Sequence, residues 1–62
     1  MPVITLDIGK LTKEQKAQLV RHFTEAAHQV TCVPKSAFVV IINEHELDNI
    51  GAGGELFSER MK

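Results

Sequence analysis

Proline at position 2 is the residue whose chemistry depends most on its place in the chain. Removal of Met1 would expose the nitrogen of Pro2 as a secondary amine. A free α-amino group has a reference pKa of about 7.7–8.0, and apolar surroundings lower it because they disfavour the charged form. Such an amine can act as a general base near neutral pH. Many proteins carry Pro2 without using it, but here Val3 opens a strand at once, so we expect the sheet to hold the amine in place.

Histidines are the next residues that could carry acid–base or metal chemistry. His22 and His28 are six residues apart, which places them on different faces of a helix and favours two solvated side chains over a metal site. His45 stands between Glu44 and Glu46, just after the second strand, where α/β proteins often border their ligand sites. The acidic residues around it are typical of a solvated loop, so His45 is a candidate that needs support from the structure.

Neither the single cysteine nor the glycine-rich segment predicts a cofactor. Cys32 lies between Thr31 and Val33 without an adjacent cation to activate it, which favours a small buried apolar side chain over a reactive thiol. Three glycines fall within residues 51–54, but no Lys-Ser/Thr pair follows them, so a tight turn is favoured over a phosphate-binding loop. No cysteine–histidine cluster has zinc-site spacing. We expect neither a metal nor a cofactor.

Length and charge restrict the class of protein. With 62 residues we expect a single domain over residues 1–62, too small to bury a large core and without a disulfide to reinforce it. A homo-oligomer would supply the missing burial. Seven basic and eight acidic side chains give a net charge of −1, which argues against nucleic acid as a partner. Without a signal peptide or an apolar run of about 18 residues, we expect no membrane segment and a cytoplasmic protein.

The elements that must position these residues follow from the apolar pattern. Val3–Ile8 alternates between apolar and polar residues and predicts a strand, which Gly9 ends. Thr12 followed three residues later by Gln15 is typical of a capping box at the start of a helix. One apolar helical stripe then comprises Leu19, Val20, Phe23, Ala26, Ala27 and Val30. The opposite face should meet water and comprises Lys13, Glu14, Gln18, Arg21, His22, Glu25, His28 and Gln29.

The second half of the chain predicts a strand, a turn and a tail. Residues 37–42 form a continuous apolar run rich in β-branched side chains, which is typical of a strand buried on both faces. The helix can cover only one of these faces, so another chain should cover the other. Residues 50–54 predict a turn or hairpin, and residues 55–62 a hairpin arm or a short frayed helix. The fold class is therefore α/β (α+β), a β-α-β unit with two parallel strands and a C-terminal hairpin or tail.

Four sequence segments together resemble the 4-oxalocrotonate tautomerase family. They are M-P-V-I at the start, K-E-Q-K-x-x-L-V at the start of the helix, V-V-I-I-N-E in the second strand and N-I-G-A-G-G-E-L near the end. The resemblance covers nearly the whole chain and is greatest to the DmpI-like subgroup. It implies a β-α-β protomer that forms dimers, three of which form a hexamer, and an active site where the amino-terminal proline meets neighbouring subunits. Pro2 matches that proline.

The sequence departs from the family at the residues that bind the substrate. The best-known members have one arginine just before the long helix and another within the second strand, where this chain has Leu11 and Val39. Their phenylalanine corresponds to Ile50, which keeps an apolar wall. One charged donor in a site that excludes water can stabilise a transition state by about 2.7–4 kcal/mol. Lys10 is the preferred replacement cation and Arg60 is the second candidate.

The resemblance implies a cofactor-independent keto–enol isomerase acting on carboxylic acids of the 2-hydroxydienoate or 2-oxo-enoate type. Pro2 would move the proton, Lys10 or Arg60 would hold a carboxylate, and Ile50 would line the pocket. Two alternatives stay open. Pro2 could activate water or form an adduct, as in hydratase-like and dehalogenase-like relatives, or the chain could be a non-catalytic oligomeric binding protein on the same scaffold.

Overall fold

The computed structural model describes residues 1–60 as a β-α-β unit followed by a small hairpin and a short helix. Its regular elements are β1 (Val3–Ile8), α1 (Lys13–Thr31), β2 (Val39–Glu44), β3 (Gly51–Ala52), β4 (Glu55–Leu56) and α2 (Phe57–Arg60). Single 3-10 turns occupy Lys35–Ala37 and Leu47–Asn49. Neither α1 nor α2 has the combination of length and apolarity needed to cross a membrane.

The two long strands pair in parallel over their full length. Val3 lies opposite Val39, and the register continues without a bulge to Ile8 opposite Glu44. Parallel neighbours need a crossover, and α1 provides it. The strand predicted at Val3–Ile8 and the parallel β-α-β topology are confirmed.

The second strand begins and ends two residues later than predicted. The N–H group of Ala37 donates to the Pro34 carbonyl at 3.0 Å, and that of Phe38 donates to the Lys35 carbonyl at 3.1 Å. These donors close a 3-10 turn and are not available to a sheet ladder. The strand therefore starts at Val39, and pairing with the end of β1 carries it through Glu44. The predicted range of residues 37–42 is wrong by this shift.

Helix α1 begins and ends where local chemistry sets its boundaries. Thr12 is the N-cap, and its hydroxyl accepts from the Gln15 N–H while the Gln15 side chain accepts from the Thr12 N–H, as the capping box predicts. At the other end Cys32 is the C-cap in a left-handed conformation with φ of 64°. The prediction that Cys32 is buried is wrong, because the end of the helix leaves it exposed. His28 departs from the predicted solvated face, because its Nδ1 donates to the Val33 carbonyl at 2.7 Å and the residue is half-buried.

The sheet has one face toward α1 and one face without cover in the single chain. The outer face carries Val3, Val39 and Ile41, which are 49%, 36% and 44% exposed. The apolar stripe of α1 is also wider than the sheet covers, since Val30 is 84% exposed. No hydrophobic side chain within residues 1–60 is fully buried.

The overall dimensions lead to the same conclusion as the exposed faces. The radius of gyration is 14.7 Å, and the chain extends over 42 × 24 × 15 Å. A compact domain of this length would have a radius of gyration of about 11 Å. A chain this extended exposes more apolar surface than an independent small domain tolerates, which favours association.

The glycine-rich segment forms the predicted hairpin. Strands β3 and β4 pair antiparallel, and the turn between them uses Gly53 and Gly54 at φ of 62° and 81°. Side chains rarely adopt these backbone angles, which explains two consecutive glycines. Of the predicted tail, residues 55–60 form β4 and α2, so both the arm and the short helix occur, while residues 61–62 lie outside the described part.

Candidate active site

Pro2 lies at the amino end of the sheet and is fixed there by its own backbone. Its carbonyl accepts a hydrogen bond from the Val39 N–H at 3.0 Å, which extends the β1–β2 ladder by one residue. The proline itself is half-buried, whereas Met1 is 88% exposed. The hydrogen bond from Val39 therefore fixes the carbonyl of Pro2 at the amino end of the sheet. Removal of the exposed Met1 would leave the nitrogen of Pro2 as an amine.

Lys10 lies at the opposite end of the same strand. Seven residue steps separate Pro2 from Gly9, and an extended strand rises about 3.3 Å per residue, so the two ends are roughly 20 Å apart. Within one chain the predicted base and the predicted cation therefore do not meet. A site that uses both must combine the amino end of one sheet with the carboxyl end of another.

The carboxyl ends of β1 and β2 border a cleft of about 470 Å³. Residues from the loop after β1 and from the segment after β2 line it, namely Gly9, Lys10, His45, Glu46, Leu47 and Asp48. Parallel strands end at the same edge of a sheet, so the sequence places these two segments together once the topology is known. The cleft combines one cation, one imidazole and two carboxylates.

Lys10 is paired with a carboxylate of its own chain. Its Nζ lies 3.1 Å from Glu46 Oε1 across the cleft, and both side chains are well exposed. The hydrogen bond to Glu46 and the charge of that carboxylate raise the pKa of Lys10 above its ordinary value. Lys10 is therefore a cation at neutral pH, and an incoming carboxylate would have to replace Glu46. An exposed pair of this kind is weak enough to be replaced.

Glu44 fixes the loop that carries Lys10. Its Oε2 accepts from the Leu11 N–H at 2.9 Å, and its Oε1 accepts from Lys16 Nζ at 2.8 Å. The backbone of Leu11 thereby joins the loop to the end of β2. These two hydrogen bonds, that of Lys16 first, lower the pKa of Glu44 below its ordinary value.

Replacing Glu44 with glutamine should remove the contribution that the ionised carboxylate makes to the free energy of unfolding. Since the folded-state pKa of Glu44 lies below its unfolded value of about 4.3, its contribution is present above that pH and is lost as the pH falls through the folded-state pKa. We expect Glu44→Gln to have a Tm on the order of 5 °C below that of the parent at pH 7. The difference between the two Tm values should become smaller as the pH falls toward 3.

Thermal unfolding followed by circular dichroism between pH 3 and 7 measures this effect. Glu14→Gln is the matched control, because Glu14 is an exposed carboxylate in the first turn of α1, the helix that carries Lys16. A constant Tm difference between Glu44→Gln and the parent at every pH would contradict the role given to ionised Glu44.

His45 forms a side-chain pair that joins the two strand ends. Its Nε2 lies 2.9 Å from Asp7 Oδ1, and its backbone N–H donates to the Ile8 carbonyl at 2.8 Å. The hydrogen bond from His45, followed by one from Asn43, lowers the pKa of Asp7. Asp7 is therefore a carboxylate at neutral pH and holds the imidazole at the edge of the cleft.

Ile50 and Arg60 belong to the C-terminal part of the chain. Ile50 is half-buried, and both of its backbone polar groups are hydrogen-bonded. Its N–H donates to the Leu47 carbonyl at 3.2 Å, and its carbonyl accepts from the Phe57 N–H at 2.8 Å. Arg60 Nε lies 3.3 Å from Glu55 Oε1, and its guanidinium is 5.8 Å from the centre of the Phe57 ring. Like Lys10, Arg60 is already paired with a carboxylate of its own chain.

Sequence reasoning missed the contacts that organise the carboxyl end of the sheet. Glu44 and His45 stand out in the sequence, but their partners do not. The parallel register predicts the pair of Asp7 and His45, because Asp7 lies opposite Asn43 and His45 follows two residues later. Among the described residues, no three or more His, Cys, Asp or Glu side chains come together as a metal site would require.

Comparison with known proteins decides the family. The chain matches the family described as tautomerase enzyme over residues 2–60. The chain belongs to the tautomerase family. A probable tautomerase of Dickeya dadantii is 40% identical over 62 residues, which covers 97% of this chain and 92% of that protein. The tautomerase described here is therefore an isomerase of this family, as the resemblance predicted.

Solved structures of related tautomerases share the fold. TomN, a 4-oxalocrotonate tautomerase homologue of the tomaymycin biosynthetic pathway, has a TM-score of 0.93 at 28% identity and covers 97% of this chain and 94% of its own. DmpI from Helicobacter pylori has a TM-score of 0.87 at 32% identity, with 94% and 98% covered. A heterohexameric 4-oxalocrotonate tautomerase from Chloroflexus aurantiacus has a TM-score of 0.89 at 28% identity, with 95% and 97% covered. The resemblance to this family, DmpI included, is confirmed.

Proposed function

We propose that this tautomerase interconverts the enol and keto forms of 2-hydroxydienoate and 2-oxo-enoate carboxylic acids, with the amine of Pro2 as the acid–base group. The observation that carries the proposal is the position of Pro2, which the Val39 N–H holds at the amino end of the sheet. The tautomerase family supplies the type of reaction. No cofactor is needed, because the step moves one proton between an oxygen and a carbon of the same substrate.

The chemistry assigned to Pro2 is a pair of proton transfers. The neutral amine removes the proton of the enol hydroxyl, the oxygen becomes a carbonyl, and the electron pair moves to the carbon chain. The resulting ammonium then donates its proton to that carbon and returns to the neutral amine. An amine with a pKa near neutrality is suited to both steps, because it exchanges a proton readily in either direction.

The substrate carboxylate is assigned to Lys10 of a second chain. Pro2 and Lys10 of one chain flank the six-residue strand β1 at opposite ends and lie more than about 20 Å apart. We therefore place each site between subunits of a homo-oligomer, and the hexamer of the family is the assembly we propose. Ile50 would line this site, and Arg60 would be the second source of positive charge.

Lys10 and Glu46 should affect substrate binding in opposite directions. We expect Lys10→Met to raise KM for a monocarboxylate substrate by about tenfold, as the loss of a charged hydrogen-bond donor predicts. Glu46→Gln should lower KM by roughly threefold, because it removes the carboxylate that competes for Lys10. Neither change should alter kcat by more than about twofold, since the binding in question is the same in ground and transition states.

Steady-state kinetics on both variants measures these effects, and Lys13→Met is the matched control. Lys13 is an exposed lysine at the start of α1. An unchanged KM in Lys10→Met would exclude Lys10 as the carboxylate-binding group and move that role to Arg60.

The proposed function as a whole is tested by ketonisation of 2-hydroxymuconate, followed by ultraviolet absorbance. The protein must first be shown by intact mass spectrometry to lack Met1. Proline-dependent turnover would support the proposal, and a rate no higher than that of buffer would contradict it.

A further inference from the structure

We infer that His45, oriented by Asp7, is a second acid–base group of the site and acts at the oxygen of the substrate while Pro2 acts at its carbon. The inference rests on the proposed function and divides its proton transfer between two groups, so that His45 takes the place of Pro2 at the oxygen while Pro2 keeps the step at the carbon. The observations that carry it are a side-chain pair and the cleft that this pair borders.

Two attachments hold the imidazole at the edge of the cleft. The backbone N–H of His45 donates to the Ile8 carbonyl at 2.8 Å, so the residue continues the parallel ladder beyond the last residue of β2. The ring is then held through Nε2, which lies 2.9 Å from Asp7 Oδ1. A ring tied at both its backbone and one nitrogen keeps its orientation, as a group that transfers protons must.

The pair also determines which nitrogen is basic. Ionised Asp7 can only accept hydrogen bonds, so Nε2 carries the proton that lies between the two side chains. In a neutral imidazole the lone pair is then on Nδ1. A base whose tautomer is set by a carboxylate is the arrangement found in many acid–base sites.

Among the charged groups around His45, Lys10 is the one that can bind the carboxylate of a 2-oxo acid. Asp7 contacts the ring from β1, and three further charged residues line the same cleft, namely Lys10 after β1 and Glu46 and Asp48 after β2. In a 2-oxo acid or its enol the carboxylate is bonded to the carbon that carries the reacting oxygen. A lysine and an imidazole in one cleft therefore match those two neighbouring groups. An exposed His–Asp pair contributes little to the stability of the fold, so stability alone gives little reason for it.

The step balances without a cofactor. In the ketonising direction, Nδ1 of His45 accepts the proton of the enol hydroxyl, and the C–O bond becomes a carbonyl as the C=C electron pair moves to carbon. The ammonium of Pro2 of the partner subunit donates its proton to that carbon and becomes the neutral amine. Water then removes the proton from His45 and returns one to Pro2. The reverse direction uses the opposite protonation states.

Kinetics as a function of pH tests this assignment on protein that lacks Met1. We expect His45→Gln to lower kcat by about 10²-fold, the lower end of what general acid–base catalysis contributes, with KM within about twofold. It should also remove one limb of the kcat profile. Asp7→Asn should lower kcat by a smaller factor than His45→Gln, because the imidazole keeps its backbone attachment but loses the carboxylate that fixes its tautomer. His22→Gln is the matched control, since His22 is exposed on α1.

The outcomes separate this inference from the proposed function. If Pro2→Ala abolishes turnover while His45→Gln keeps the parent kcat and profile, the inference is overturned and the proposed function stands. If the parent has no tautomerase activity, the proposed function fails, and nuclear magnetic resonance of the histidine rings with 2-oxobutanoate decides the second question. A shift of the His45 signals that Lys10→Met removes would support a 2-oxo acid at His45, and unmoved signals would overturn it.

Discussion

Replacing Pro2 with alanine is expected to lower kcat/KM for ketonisation of 2-hydroxymuconate by about 10²- to 10⁴-fold, the range that a positioned general base contributes. The pyrrolidine ring fixes the direction of the nitrogen lone pair, whereas the amino group of alanine rotates freely about its N–Cα bond. The backbone of residue 2 would still accept from the Val39 N–H, so the strand and the fold should be retained. Ultraviolet absorbance on protein of verified mass measures the change.

Two controls make the result specific to the amine. Pro34→Ala changes the only other proline of the chain, which precedes the turn at Lys35–Ala37, and should leave turnover unchanged. Protein that retains Met1 should be as inactive as buffer, because an amide nitrogen has no useful basicity. Equal rates for the parent and Pro2→Ala, or turnover by protein that keeps Met1, would contradict the assignment of Pro2 as the base.

Replacing Ile41 with lysine is expected to dissociate the oligomer and abolish its cooperative thermal unfolding. Ile41 stands on the outer face of the sheet beside Val39 and opposite Thr5, and it is 44% exposed in the single chain. If a second chain covers this face, the lysine would place an unpaired ammonium in the interface, which is strongly destabilising. The lone chain has no fully buried hydrophobic side chain within residues 1–60, so it should not remain folded.

Sedimentation velocity and circular dichroism measure assembly and folding separately. Gln18→Lys introduces the same charge on the exposed polar face of α1 and should preserve both the oligomer and its Tm. A folded monomer of Ile41→Lys with the Tm of the parent would contradict the proposal that the outer face is covered. Loss of turnover together with loss of assembly would agree with a site shared between subunits.

Local signals predicted the elements well and their ends less well. The capping box at Thr12 and the alternation in Val3–Ile8 involve neighbours in sequence, so α1 and β1 begin as predicted. The second strand was misplaced because an apolar run does not show where its N–H groups donate. Ala37 uses its donor within a 3-10 turn, and that choice depends on Pro34 and on the register with β1.

The candidate site shows the same division more sharply. The position of Pro2 next to a strand, the absence of arginine at positions 11 and 39, and four segments typical of the tautomerase family are properties of the sequence itself. They determine the family, because each depends on residue type and order alone.

Only the tertiary structure decided which charged groups meet. It placed Lys10 against Glu46 and His45 against Asp7, and it put Pro2 at the far end of the sheet from both pairs. Asp7 and His45 are 38 residues apart in the chain, and only the parallel register brings their side chains within 2.9 Å. Residue type and local spacing carry no information about such a pairing, since a shift of one residue in register would turn the side chains to opposite faces.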